Sequence, residues 1–218
     1  MNTKKLYKHM KRITNNKRII GSREVLKYLH YNEKNNIVAC DSHRMLKYYT
    51  DHEHENTLID PNNNKVVQCE NNYPKTDSLI LDKSDAKNVI KINSIDIDII
   101  INILKAYKGL NVNTRLFIND DKSYYLHYNK LDLMDTLDNE HINNINIDYT
   151  LNNTSVSDHN IKLTLNTKYF LNMFEFLKDH QKETNTTEYK LYIYGSLKII
   201  NISDDKDFNY ILLPIRTY

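Results

Sequence analysis

The residues most able to do chemistry fall in three places. The run Asp51-His52-Glu53-His54-Glu55 puts five groups that could bind metal or move protons into one short stretch. Adjacent side chains on an extended backbone point to opposite sides, so such a run does not converge on one ion and no metal site is expected there. Asp41, Ser42 and His43 supply the residue types of a hydrolytic triad. A triad also needs a sharp turn presenting its nucleophile and N–H groups for the oxyanion, and neither accompanies these residues. With three glycines in 218 residues, loops that wrap phosphate with bare backbone are not expected either. Cys40 and Cys69 are too few for a disulfide framework and lack the close spacing of a metal knuckle, so both read as reduced thiols. The chemistry-bearing residues therefore describe a non-enzyme without catalytic residue, metal or cofactor.

Charge and composition bound the partners. Lys and Arg number 30 against 28 Asp and Glu, a net charge of +2, so any contact with nucleic acid must come from local patches. The clearest patch is the N-terminal segment. Lys4 to Thr14 places Leu6, Met10 and Ile13 on one helical stripe and Lys4, Lys8, Lys11 and Arg12 on the opposite side, with Lys17 and Arg18 following. Such a face suits phosphate binding and equally suits plain solvation. No window approaches the roughly 18 unbroken apolar residues of a membrane span, and no signal-type apolar block opens the chain, so a cytoplasmic location without membrane contact is expected. Hydrophobic residues make up 40% and charged residues 27%, as in ordinary globular chains, with room for one large or two small domains.

The elements that must position these residues recur. After the basic helix, Glu24 to Tyr31, Asn36 to Cys40, Arg44 to Thr50 and Lys65 to Gln68 read as short strands of an antiparallel meander. Val89 to Tyr107 satisfies both strand and helix periods; strand then helix is favoured, with Ser94 as N-cap and Gly109 as the stop. Thr114 to Ile118, Tyr124 to Tyr128 and Leu131 to Met134 are strands again. Ile161 to Leu165 is a strand, and Thr167 to Asp179 a helix with Phe170, Met173, Phe174 and Leu177 on one face. Strands Tyr189 to Tyr194, Leu197 to Ile202 and Phe208 to Ile215 follow, the first two joined at Gly195-Ser196. The chain thus reads as about three copies of a helix followed by antiparallel strands, at a period of roughly 70 residues. The fold class is α+β, with helices gathered on one face of curved sheets.

Two stretches carry a resemblance. Residues 37 to 46 run IVACDSHRML and residues 210 to 216 run YILLPIR. The first is similar to the ATDSHRLA segment, and the second to the terminal YVVMPMRL strand, of the bacterial DNA polymerase III beta subunit, the sliding clamp. The resemblance implies helices lining a hole around double-stranded DNA and sheets forming the rim. Residues 1–150 then resemble the middle clamp domain of two βαβββ units, and 151–218 the second half of the last domain. It implies a peptide pocket made by Cys40, Ser42, His43, Arg44 and Met45 and closed by Leu213, Pro214 and Ile215. Lys4, Lys8, Lys11, Arg12, Lys105 and Lys168 would face the phosphate backbone. Partners would be DNA, a polymerase or other proteins carrying clamp-binding motifs, and further copies or another clamp. A phage or mobile-element source is expected for so short a version. The alternative is a clamp-like adaptor or decoy that takes the same peptides without encircling DNA.

Overall fold

The computed structural model describes residues 1–17, 19–111, 113–118, 124–127, 149–151, 153–156 and 161–216. Among the described residues there are three α-helices: α1 (Thr3–Thr14), α2 (Ser94–Gly109) and α3 (Thr167–Thr184). Helix α1 forms because Leu6, Met10 and Ile13 bury one stripe against the sheet. Helix α2 is started by Asn93 rather than Ser94. The Asn93 carboxamide oxygen accepts from Ile95 N (2.9 Å) and Asp96 N (3.0 Å), while the Asp96 carboxylate accepts from Asn93 N (3.0 Å), a reciprocal capping box. Replacing Asn93 with alanine is expected to cost about 1 kcal/mol, lowering the thermal midpoint by about 2–4 °C. Calorimetry checks this, and an unchanged midpoint would mean the cap is dispensable. Helix α3 runs five residues past the expected Asp179 and stops where Asn185 turns left-handed, with φ 56°.

The described strands form two antiparallel sheets. The larger holds β1 (Leu29–Asn32), β2 (Asn36–Cys40), β3 (Arg44–Tyr49), β4 (Thr57–Ile59), β5 (Val66–Val67), β6 (Asn88–Asn93), β10 (Asn153–Val156), β12 (Glu188–Ile193), β13 (Ile200–Ser203) and β14 (Phe208–Leu212). Their order is β10-β6-β12-β13-β14-β3-β2-β1-β4-β5. The smaller holds β7 (Thr114–Ile118), β8 (Tyr124–His127), β9 (Tyr149–Leu151) and β11 (Ile161–Leu165), in the order β11-β7-β8-β9. The repeats interlock: β6, before α2, pairs with β12, after α3, and β11, before α3, pairs with β7, after α2. Residue 150 lies in β9, and in both sheets a strand before it pairs with a strand after it.

Several expected strands moved for identifiable reasons. Glu24 to Tyr31 is a strand only from Leu29; Gly21–Lys27 is a 3-10 turn that buries the consecutive Val25 and Leu26. A strand would have sent those two side chains to opposite faces. The last strand ends at Leu212 instead of Ile215, since Pro214 has no N–H to give and Ile215 N bonds to Thr164 O (2.7 Å) of the other sheet. The link after β12 spans six residues rather than a two-residue turn, with Gly195 at φ 139°. Leu131 to Met134 and Arg18 lie outside the described residues.

One core joins all three helices to both sheets, and Leu46, Tyr48, Tyr210 and Leu212 of the large sheet face into it. The alternate residues Val38, Cys40, Met45 and Ile211 point the other way into a small second cluster, capped by Ile19, Val25 and Leu26. Among the described residues, no helix is long and apolar enough to cross a membrane.

Candidate partner-binding seam and basic helix face

The turn between β2 and β3 is built by Asp41. Its carboxylate accepts from His43 N and Arg44 N (3.1 Å each), and Asp41 N donates to Arg44 O (3.1 Å). The tight bend places Ser42 at φ 69°, which the two bonds from Asp41 hold in place. Beyond the turn, β3 pairs with β14 so that Met45 sits opposite Ile211 and Arg44 opposite Leu212, and Leu213 N donates to His43 O (2.8 Å). Two stretches about 170 residues apart in sequence thus share a seam.

The period of two sorts the expected pocket residues to opposite faces. Cys40 and Met45 lie on the outer face, buried under Val25 and Leu26, and burial pushes the Cys40 thiol pKa upward. Leu213 continues that face and is 44% exposed; Ser42 is exposed, and His43, Pro214 and Ile215 are half-buried. Arg44 points inward. Only 4% exposed, it bonds Asp41 Oδ2 through Nε (3.0 Å), donates to the Arg12 carbonyl, and stacks 4.2 Å from the Tyr169 ring centroid. Arg44 is therefore a bolt between β3, α1 and α3, and the seam's outer face is made without it.

The expected DNA-facing cations divide in the same way. Helix α3 carries Glu175, Asp179 and Glu183 four residues apart, one stripe facing α1. Arg12 pairs with Glu175, Lys8 with Asp179 (2.8 Å) and Lys5 with Glu183. Much of α1's positive charge is therefore spent inside the helix layer. Lys4, Lys105 and Lys168 are exposed, and Lys11 is half-buried. The acidic stripe was visible as a four-residue spacing, but its target depended on how the helices pack.

A second concentration of charge lies where the ends of α1 and α2 meet the start of α3. Lys17, Lys108 and Lys168, with Arg12 and Arg44, line a cleft of about 470 Å³ that also holds five asparagines and no carboxylate among its described lining. Lys17 and Lys168 were among the basic residues expected from the sequence; Lys108, in the last turn of α2, joins them here. Backbone N–H groups at the start of α3 add to the positive potential.

No protein-family model matches the chain, and no curated protein matches it. Solved structures do. The DNA polymerase sliding clamp of Bacillus subtilis superimposes with a TM-score of 0.70 at 16% identity, over 98% of this chain and 63% of that one. The DNA polymerase III beta chain of Streptococcus pneumoniae gives 0.67 at 17%, over 98% and 63%. The sliding clamp of Caulobacter crescentus gives 0.69 at 10%, over 100% and 65%. At these identities the likeness establishes the fold: the chain has the sliding-clamp fold and spans slightly under two thirds of the length of these clamps.

Proposed function

We propose that this protein is a non-enzymatic, clamp-like replication factor of the cytoplasm that holds short linear motifs of partner proteins on the outer β3–β14 seam and meets the DNA phosphate backbone with its helix layer. The observation that carries the reading is the ladder placing His43 and Met45 beside Ile211 and Leu213. Met45 and Ile211 are covered there by Val25 and Leu26, so the accessible part is a partly apolar edge of half-buried His43 and exposed Leu213, at which one or two side-chain anchors can dock. The phosphate contact is assigned to Lys17, Lys108 and Lys168 rather than to the paired cations of α1. Strand exchange favours grouping β6 through β14 as one interleaved unit, with residues 1–67 adding a half unit to its large sheet.

A second reading rests on the ion pairs between α1 and α3: a helix layer that neutralises its own cations is weakly equipped to encircle DNA. On that reading the protein is an adaptor or decoy that takes the same peptides, or joins another clamp, without forming a ring. One set of measurements separates the readings. Leu213→Asp is expected to weaken binding of a clamp-motif peptide at least tenfold with an unchanged thermal midpoint. Replacing Lys17, Lys108 and Lys168 by glutamate is expected to lower the salt-dependence slope of DNA binding by about 2–3. Retention on circular but not linearised DNA by an oligomer supports the clamp; peptide binding by a monomer without DNA affinity supports the adaptor. Wild-type peptide affinity in the Leu213→Asp variant would remove the seam from both.

A further inference from the structure

At the far end of α3 from the basic cleft, His180 meets the hairpin joining β13 to β14. Its side chain is fully buried, and Nε2 has no hydrogen-bond partner among the described residues. Nε2 faces two carboxylate oxygens, Asp207 Oδ2 at 3.4 Å and Asp204 Oδ2 at 3.8 Å, and all three atoms lie within 4.8 Å of one another. The remaining polar atoms of His180 and Asp204 are already committed. His180 Nδ1 lies 3.0 Å from Tyr189 Oη, which in turn donates to Leu177 O (3.4 Å). With the phenol proton on the carbonyl, the phenol oxygen accepts from Nδ1, and the lone pair of the imidazole falls on Nε2. Asp204 Oδ1 accepts from the backbone N–H groups of Lys206 (3.1 Å), Asp207 (2.8 Å) and Phe208 (3.3 Å), which fixes the carboxylate and leaves Oδ2 toward His180.

A lone pair and two carboxylate oxygens converging in a largely buried place repel one another unless a cation sits between them. We propose that His180, Asp204 and Asp207 form a binding site for a divalent transition metal, with Zn²⁺ the best match. Ligands about 2.0–2.2 Å from a tetrahedral Zn²⁺ lie about 3.4 Å from one another, close to the two measured separations. An imidazole with two carboxylates suits Zn²⁺, Mn²⁺ or Fe²⁺ better than Mg²⁺ or Ca²⁺, which take oxygen ligands in larger number. Tyr189 and the Asp204 turn act as the outer supports that orient the ligands. The site ties the end of α3 to the hairpin that leads into β14, and water through the partly exposed Asp207 completes the coordination. The Met1 amine, 2.7 Å from Tyr48 Oη, is the competing cation at this end of the molecule. This site is independent of the peptide and DNA reading above.

The test uses the full chain, stripped with a chelator and titrated calorimetrically with ZnCl₂. Asp207→Asn is the informative variant, because the side chain it changes makes no hydrogen bond that holds the hairpin, while the backbone bond from Tyr49 N to Asp207 O (2.8 Å) is kept. The wild type is expected to take one Zn²⁺ per chain. Its thermal midpoint should rise by about 5–10 °C at a hundredfold excess over Kd, and Co²⁺ should give visible absorption bands. Asp207→Asn should lose at least tenfold in affinity and the Co²⁺ bands, with its metal-free midpoint at or above that of the wild type, since one of the repelling charges is gone. Asp207→Ser is a second variant with the same expected outcome. Absence of Zn²⁺ binding by the wild type would overturn the proposal. So would wild-type affinity in both variants, which would place the metal on the cysteines or on His52 and His54.

Discussion

Replacing Arg44 with methionine is expected to destabilise the protein by about 3–5 kcal/mol, a fall of about 6–20 °C in thermal midpoint. The side chain is almost wholly buried and paired with Asp41, itself 2% exposed, so its removal strands a carboxylate inside the protein. The bond to the Arg12 carbonyl and the stack on Tyr169 go with it, loosening β3 from α1 and α3. The double variant Asp41→Asn, Arg44→Met is expected to be more stable than the single Arg44→Met variant. It leaves no buried charge alone, and the carboxamide oxygen that replaces the carboxylate still accepts from the turn's N–H groups. Urea unfolding of the three proteins measures the coupling. A single variant within 1 kcal/mol of wild type would show that the pair is not what holds this junction. The result also bears on the seam: a peptide-binding loss in any Arg44 variant must be read against the loss of fold.

Lowering the pH from 6.5 to 4 is expected to remove roughly 3 kcal/mol of stability through His9 alone. His9 is 2% exposed, and its Nε2 lies 2.9 Å from Asp179 Oδ2 while Nδ1 has no partner among the described residues. Burial outweighs the attraction of Asp179, and the Arg12 and Lys8 charges add to it, so the pKa is pushed down to about 4 from its ordinary 6.5. The folded protein thus keeps His9 neutral where the unfolded chain already binds a proton. Stability is fully present above pH 6.5 and falls as pH drops toward 4. His30, whose pKa burial also lowers, acts in the same direction. Asp179 does not interfere in this window. Burial tends to raise its pKa, but the bonds from Lys8 and His9 hold it below the ordinary 3.8, so its contribution is lost only under more acidic conditions. Glutamine at position 9 keeps an N–H for Asp179 and does not titrate. Unfolding free energies of wild type and His9→Gln, compared between pH 7 and 4, should therefore diverge by about that amount. Parallel curves would show that His9 is accessible to protons in the native state.

Much of the architecture was legible because it is written in short-range patterns. Period-3.6 stripes marked α1, α2 and α3, and alternating apolar residues marked most strands around them. The IVACDSHRML and YILLPIR stretches pointed to the clamp fold, and Asp41 supplies a local reason for the first to be a tight turn. Where local pattern failed, a distant partner had intervened. Val25 and Leu26 abandoned strand geometry because an apolar cluster from β2, β3 and β14 rewards burying both.

Residue types, spacings and the order of elements were enough to point to an α+β chain with a clamp-like turn and a clamp-like tail. They could not say which way Arg44 faces, that the lysines of α1 meet the carboxylates of α3 more than 160 residues later, or that His180 meets Asp204 and Asp207. They also could not choose β12 as the partner of β6. Each of these depends on the relative placement of whole helices and strands. A charged side chain is solvated, paired or buried according to what packing brings beside it, and that neighbour is not encoded in the residues next to it along the chain.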